Sequence, residues 1–247
     1  MKVEVSHAII MRTRAFGESD LMVTFFTPEG GLLKGVAKGA RKSRRRFVHC
    51  FDIFSLVTLE YELKRGRDLC LLHSGKLIDA HVGLRSDYTL FSRASFMIEL
   101  TEILFPCGVA EKEMFELLQD AFDALSQKED IDLIPIFFEV KIMSLGGYGM
   151  NLERCCVCGR PYKGEGRAVS RCDKGGIACL RCSQESALSP GLDPQSIEMM
   201  TLMRSRPLSE LKKIVISEGA LTEIKPVLQR HREYHLGQRL RTACFLE

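Results

Sequence analysis

Six of the ten cysteines in this chain of 247 residues fall within one short segment, and this clustering constrains the fold more than any other feature of the sequence. Four of them form two C-x-x-C pairs separated by 20 residues, and these are Cys155, Cys158, Cys179 and Cys182. Secreted disulfide scaffolds spread their pairs through a short chain, whereas clustering in a longer chain favours a metal site. The spacing therefore predicts one structural zinc ion held by four thiolates.

Two further cysteines in the same segment leave the set of ligands open. Cys156 could take the place of Cys155, although the pair would then have the spacing C-x-C, and Cys172 could replace one of the later pair. We favour the interpretation in which both are small residues of a loop. A catalytic zinc ion would need an open coordination position and a His or Glu ligand, and the segment has neither residue at ligand spacing.

A pair of histidines four residues apart, His231 and His235, lies on a predicted helix near the end of the chain. The order H-R-E-Y-H differs from the H-E-x-x-H motif of metalloproteases because the glutamate stands in the middle position. We therefore predict exposed or half-buried helix side chains rather than metal ligands, and we disfavour a zinc hydrolase.

The length is that of one or two domains, and the balance of 45% hydrophobic and 27% charged residues is typical of a globular protein. The longest stretch without Asp, Glu, Lys or Arg is 142–152, which has 11 residues. A helix that spans a bilayer needs about 20 apolar residues. Because the N-terminus also lacks the apolar core of a signal peptide, we expect a soluble, cytoplasmic protein.

Residues 1–80 have the pattern of a small β-structure. Turn-forming residues, such as Pro28-Glu29-Gly30-Gly31 and the stretch 64–67, separate short runs rich in β-branched and aromatic residues. The predicted strands are 7–14, 21–27, 32–37, 53–63 and 69–77. Short strands with turns about every 8–12 residues predict a small closed barrel.

A basic loop lies between the third and fourth predicted strands. Seven cations occupy the 13 residues from 34 to 46 without an intervening acid, and these are Lys34, Lys38, Arg41, Lys42, Arg44, Arg45 and Arg46. Such a concentration on a barrel predicts contact with nucleic-acid phosphates. Four aromatic residues could stack on bases but are predicted to belong to the core, namely Phe16, Phe47, Phe51 and Tyr61.

The remaining chain is predicted to be mainly helical. Apolar residues recur every three or four positions from Leu90 to Leu104 and in 111–126, 131–145 and 219–236, and Ser86 or Asp87 could cap the first helix. Residues 151–183 lose this period, which is typical of a loop domain inserted between helices of one bundle.

The balance of charge also changes along the chain. Residues 1–80 hold 14 Lys and Arg against 9 Asp and Glu, whereas residues 81–150 hold 5 against 12. This asymmetry suggests different partners for different parts.

Several motifs resemble the RecO family of bacterial recombination mediators. They include G-E-S-D at 17–20, F-T-P-E-G-G at 26–31 and K-G-V-A-K-G-A-R-K at 34–42. Further matches are L-R-S-D-Y at 84–88, L-G-G-Y-G at 145–149 and L-S-P-G at 188–191, together with the cysteine pairs. The resemblance covers nearly the whole chain.

The resemblance implies an α+β protein with an N-terminal OB-fold β-barrel, followed by an α-helical domain with an inserted four-cysteine zinc module. The expected domains are 1–80 for the barrel, 81–150 and 185–247 for the helical domain, and 151–184 for the zinc module. The family implies that the basic loop contacts DNA and that Arg12 and Arg14 on the neighbouring strand are weaker candidates. It also implies that Cys155, Cys158, Cys179 and Cys182 hold zinc.

The resemblance further implies a protein without enzymatic activity. RecO-like proteins bind single- and double-stranded DNA, anneal complementary strands, pair with RecR and help RecA replace the single-strand-binding protein SSB. We expect the acidic tail of SSB to bind the helical domain, and we expect the protein to associate with the bacterial nucleoid. The alternative is a zinc-ribbon and OB-fold adaptor of transcription or translation that binds RNA or a polymerase.

Overall fold

The computed structural model describes residues 2–63, 69–128, 130–213 and 217–245. The chain forms two compact units, of which one comprises Met1–Ile131 with Cys244–Glu247 and the other comprises Asp132–Ala243. The predicted turn at 64–67 lies outside the described residues. The four predicted domain ranges stay a prediction, because compactness does not show which segments fold independently. In the described part of the chain, no helix is both long and apolar enough to cross a bilayer.

The first unit begins with a closed five-stranded barrel, which confirms the predicted OB-type fold. Its strands are β1 (Lys2–Phe16), β2 (Asp20–Thr27), β3 (Gly31–Ala37), β4 (Leu56–Leu63) and β5 (Cys70–Asp79). They are ordered β1-β2-β3-β5-β4, β1 pairs antiparallel with β4, and β3 pairs parallel with β5. The barrel is filled by side chains that alternate inward along each strand, including Val23, Phe25, Val57, Leu59 and Tyr61.

β1 is twice as long as its sequence pattern indicates, and its pairing gives the reason. Its first half, from Lys2 to Ile9, pairs with β4, and its second half, from Ile9 to Phe16, pairs with β2. One strand therefore closes the barrel on two neighbours. The ends of this strand are held by backbone pairing although side chains such as Val3, Val5 and Phe16 are exposed, so a pattern of core-facing residues does not mark them.

Three helices complete the first unit, namely α1 (Val82–Ser86), α2 (Tyr88–Leu104) and α3 (Lys112–Ser126). Asp87 caps α2, because its carboxylate accepts from the backbone N–H of Thr89 at 2.9 Å and of Leu90 at 3.3 Å. The buried ring of Phe54 lies edge-on to Phe91 and Phe122, with centroids 5.4 Å apart in each case. The helices therefore share an aromatic core with the loop before β4.

His81 joins the same loop to α3 through both nitrogens of its buried ring. Nδ1 lies 2.9 Å from the carbonyl oxygen of Phe54, and Nε2 lies 2.8 Å from Oδ1 of Asp123. Both neighbours only accept hydrogen bonds, so the ring makes both contacts when it carries both protons. Burial alone would lower the pKa of His81, but the hydrogen bonds to Asp123 and Phe54 outweigh it and raise the pKa above 6.5.

This raised pKa predicts that the protein loses stability as the solution becomes alkaline. The contribution of His81 is fully present below its unfolded-state pKa of 6.5 and is lost as pH rises through the higher folded-state pKa. We expect the free energy of unfolding, measured in urea from pH 6 to pH 9, to fall over this window. His81→Gln should reduce the fall, and an identical pH dependence in both proteins would contradict the assignment.

The second unit combines three helices with a small sheet. The helices are α4 (Leu133–Leu145), α5 (Pro194–Ser205) and α6 (Glu218–Leu236). The sheet has the strand order β6-β8-β7-β9, and its strands are β6 (Asn151–Cys155), β7 (Ala168–Arg171), β8 (Gly176–Cys179) and β9 (Gly191–Leu192). The prediction of a loop domain at 151–183 missed this sheet, because strands of two to five residues are too short to show a period.

Two buried polar residues of α6 were not predicted to be buried. His231 is 2% exposed and its Nε2 lies 2.6 Å from the carbonyl oxygen of Tyr148, so the prediction of an exposed or half-buried side chain is wrong for this histidine. Arg232 is also buried and donates to Oε1 of Glu139 on α4 at 2.7 Å. Both side chains are accommodated because another segment of the unit supplies the acceptor, which the sequence of α6 does not show.

Candidate nucleic-acid interface and four-cysteine centre

The basic loop leaves β3 through a tight turn that is tied to the start of β2. Gly39 has a φ of 66°, a left-handed conformation that favours glycine, and its N–H donates to Oδ1 of Asp20 at 2.8 Å. The N–H of Arg41 donates to the carbonyl oxygen of Ser19 at 3.0 Å. These two bonds fix the backbone of the loop, so its cations project from a defined surface.

The side chains of the loop are exposed and available to an anion. All seven predicted cations are exposed, and within the described part of the chain none of them forms an ion pair with a carboxylate. Two of them also bond to backbone: the guanidinium of Arg41 donates to the carbonyl oxygen of Glu18 at 3.1 Å, and that of Arg46 donates to the carbonyl oxygen of Lys38 at 2.7 Å and lies over the ring of Phe47. Arg46 therefore shapes the loop, whereas Arg44 and Arg45 extend from it.

A β-bulge at Met11 decides where the two weaker candidates of β1 point. Ile10 pairs with Phe25 and Arg12 pairs with Thr24, so Met11 is an additional residue without a partner on β2. Ile10 faces the barrel core, and the strict alternation of a strand would also place Arg12 there. The bulge reverses the alternation, and Arg12 and Arg14 consequently lie on the outer face.

The two arginines, Arg12 and Arg14, differ in whether a carboxylate neutralises them. Arg12 forms a bidentate ion pair with Glu102 of α2, with Nε 2.8 Å from Oε1 and Nη2 2.6 Å from Oε2. This hydrogen bonding raises the pKa of Arg12 further above its ordinary value. Arg14 is exposed and has no carboxylate partner among the described residues. The sequence did not predict the ion pair between Arg12 and Glu102, because these residues are 90 positions apart and no local pattern indicates that they meet.

The four aromatic candidates also differ in exposure. Phe47 and Tyr61 are buried in the barrel core, as predicted. Phe16 is 48% exposed, so its assignment to the core is wrong. It stands at the end of β1, opposite Asp20 at the start of β2. Phe51 is half-buried, with its ring 5.0 Å from the ring of Phe47. A supported ring that stays partly accessible can stack on a base.

The four cysteines of the two C-x-x-C pairs come together in the second unit. Their sulfur atoms all lie within 4.8 Å of one another, and Sγ of Cys158 is 4.0 Å from Sγ of Cys179. Tetrahedral coordination with zinc–sulfur bonds of about 2.3 Å separates the sulfurs by roughly 3.8 Å, so the spacing fits a metal ion. Within the described residues, neither Cys156 nor Cys172 belongs to this group.

The backbone around the cluster favours negative charge on sulfur. Burial alone would raise the pKa of the Cys155 thiol, but N–H groups of Cys158, Cys179 and Val157 donate to its sulfur and lower the pKa to about 6. The thiol of Cys182 instead shares hydrogen bonds with Cys179 and Cys158, and these raise its pKa to about 12. Four adjacent thiols cannot all ionise unaided, so a bound cation is what would let them lose their protons together.

Comparison with known proteins assigns the chain to a family. Residues 1–81 match the family described as "Recombination protein O N terminal", and residues 85–243 match "Recombination protein O C terminal". The chain belongs to the RecO family. The resemblance noted in the sequence motifs is thereby confirmed, and RecO is a family of DNA repair and recombination proteins.

Individual RecO proteins are similar to this chain along most of their length. "DNA repair protein RecO" of Syntrophobacter fumaroxidans is 32% identical over 214 residues, which cover 87% of this chain and 85% of that protein. The proteins of the same name from Syntrophus aciditrophicus and Geobacter metallireducens are 29% and 28% identical, and each alignment covers 98% of this chain. The match therefore includes the barrel, the helices and the cysteine segment.

Proposed function

We propose that this chain is a DNA-binding mediator of recombinational repair that works without catalysing a chemical reaction. It binds single- and double-stranded DNA through its basic loop, anneals complementary strands and, with RecR, helps load RecA onto DNA coated by SSB. The observation that carries the proposal is the loop itself, whose seven cations are exposed and unpaired with carboxylates among the described residues. The family match supports a role in repair over an adaptor of transcription or translation.

The mechanism follows from electrostatics. Two DNA strands repel each other through their phosphates, and phosphate contacts made by Lys and Arg release counterions and reduce that repulsion. Contacts to phosphate carry no sequence information and leave base edges free to pair. The glycine turn at Gly39 holds the backbone of the loop while Arg41, Lys42, Arg44 and Arg45 present charge to the strand. No bond is broken, so this mechanism requires no nucleophile and no general base.

We propose that the four-cysteine cluster holds one structural zinc ion. Four thiolates form a soft, complete ligand set that leaves no position for substrate. The ion would neutralise the sulfurs and connect the end of β6 to the end of β8, where the two cysteine pairs lie. Its role is then to stabilise the cysteine segment of the second unit, whose strands are short and whose connecting loops are largely exposed.

An annealing assay tests the proposed function. We expect the protein to accelerate pairing of complementary oligonucleotides coated with SSB, and to increase RecA loading on such DNA only when RecR is present. Pairing is measured by fluorescence transfer between dyes on the two strands. Failure to accelerate pairing at low salt would contradict the proposal, and metal-dependent cleavage of DNA would favour an enzyme instead.

A further inference from the structure

A groove of about 1180 Å³ lies on the outer face of the first three strands. The register places Arg12, Thr24 and Lys34 side by side in one row across β1, β2 and β3, and Arg14 lies opposite Met22 in the next row. The floor between the cations is apolar, because Met22 and Leu32 line it. This face exists only because the bulge at Met11 turns the arginines outward.

One wall of the groove is the segment 51–53. The hydroxyl of Thr13 donates to the carbonyl oxygen of Phe51 at 2.8 Å, which ties this segment to β1. Phe51 lines the groove, and its half-buried ring packs on Phe47. A half-buried ring beside exposed cations offers a surface on which a base can stack.

The opposite wall is the segment 105–107 at the end of α2. The N–H of Gly108 donates to the carbonyl oxygen of Leu32 at 2.9 Å, and the ring of Phe105 packs edge-on against Phe26 at 6.3 Å. A side chain at position 31 would collide with the carbonyl of Val109, so Gly31 permits this close approach. Both walls are therefore held by the barrel, and the groove is a built feature of the first unit.

The charges of the groove select an anionic ligand. Arg14 and Lys34 are exposed and have no carboxylate partner among the described residues. Arg85 is held by the carbonyl oxygen of Ile53 at 3.0 Å and faces Asp52 at 3.6 Å, so its charge is largely compensated. Two free cations above an apolar floor suit a ligand that combines phosphates with flat apolar surfaces.

We propose that this groove binds an unpaired stretch of a DNA strand, and that Glu102 competes with a phosphate for Arg12. The inference rests on the proposed function and adds a site and a strand preference to it. Bases of a single strand can reach the ring of Phe51, whereas a duplex keeps its bases stacked inside and offers only phosphates. Lys34 lies on β3 in the groove, and the chain continues from β3 into the basic loop, so a DNA strand can follow the cations from one to the other.

Glu102 is positioned to restrain binding. Its side chain is 17% exposed, whereas that of Arg12 is 61% exposed, so a phosphate can approach Arg12 from solvent while the carboxylate approaches from the protein. Because most of the Arg12 side chain faces solvent, a phosphate can compete with the carboxylate for the same guanidinium. Removal of the carboxylate charge should consequently free Arg12 for DNA and strengthen binding.

The decisive variant is Glu102→Gln, because it is expected to gain binding rather than lose it. We expect the affinity for a labelled oligothymidine to rise about threefold to tenfold, and the salt slope to steepen by about 0.7 units for one further phosphate contact. The affinity for a DNA duplex of the same length should change less. Fluorescence anisotropy at several salt concentrations measures both. Glu116→Gln on α3 is the control, since it removes the same charge and releases Lys112 from a 3.2 Å ion pair outside the groove.

A second variant tests the wall formed by the segment 51–53. Phe51→Leu retains an apolar side chain that can pack on Phe47 but removes the stacking surface. We expect about a tenfold loss in affinity for single-stranded DNA and no change for duplex. The thermal unfolding midpoint of each variant is measured as a control, and we expect it to stay close to that of the unmodified protein.

The outcomes separate this inference from the proposed function. If the unmodified protein binds no DNA, both fail. If DNA binding depends on the basic loop but Glu102→Gln and Phe51→Leu change nothing, only the groove is refuted. If Glu102→Gln instead strengthens binding of a synthetic peptide of aspartates and leucines while single-stranded DNA is unaffected, the groove is a peptide site and the inference is overturned.

Discussion

Replacing Arg44 and Arg45 together by alanine is expected to weaken DNA binding by one to two orders of magnitude at moderate salt. Each lost phosphate contact lowers the slope of log affinity against log salt by about 0.7 for single strands and about 0.9 for duplex. The double variant should therefore flatten the slope by about 1.4 units for single strands and about 1.8 units for duplex. These two side chains are exposed, and neither forms an ion pair with the residues that the structure describes, so we expect the fold to be unaffected.

A charge-matched control distinguishes a local site from net charge. Arg160→Ala with Lys163→Ala removes two exposed cations from the cysteine segment of the second unit, where neither has a carboxylate partner among the described residues. We expect a small, general weakening and little change in slope from this control. Arg46 is best tested separately, since its bond to the carbonyl of Lys38 means that Arg46→Ala also disturbs the loop. Equal slopes in the loop variant and the unmodified protein would remove the loop from the interface.

Replacement of a cluster cysteine is expected to release the metal and destabilise the second unit. The side chain of Cys158 is exposed, so Cys158→Ser costs little packing and acts through the loss of one thiolate. A loss of about 3 kcal/mol would lower the thermal midpoint by roughly 6–12 °C in a protein of this size. Metal analysis of the purified protein should give one zinc per chain, and the variant should retain far less.

The neighbouring cysteine provides the control for this prediction. Cys156 is two residues from Cys158 but does not belong to the group of four sulfurs among the described residues. Cys156→Ser should therefore keep one zinc per chain and a nearly unchanged midpoint. Full zinc content after Cys158→Ser, or loss of zinc after Cys156→Ser, would show that the ligand set is different. An unmodified protein without zinc would refute the proposed cofactor.

The four long helices α2, α3, α4 and α6 were predicted closely from the sequence, because apolar residues recur along each of them over several turns. The predicted ranges 90–104, 111–126, 131–145 and 219–236 differ from α2, α3, α4 and α6 by no more than two residues at either end. Short strands gave no such signal, so the sheet of β6 to β9 was missed. Periodicity needs several repeats to be recognised, and a strand of two residues has none.

Spacing along the chain determined which chemical groups this protein possesses, namely a dense basic loop and two C-x-x-C pairs. Both can be recognised in the sequence because their members lie close together along the chain. Tertiary structure alone decided which cations are free, because Glu102 reaches Arg12 from another element, and it alone turned Arg14 outward through a one-residue bulge. The physical reason is that charge compensation and side-chain direction depend on neighbours brought in by folding, whereas ligand spacing and charge density are local properties of the chain.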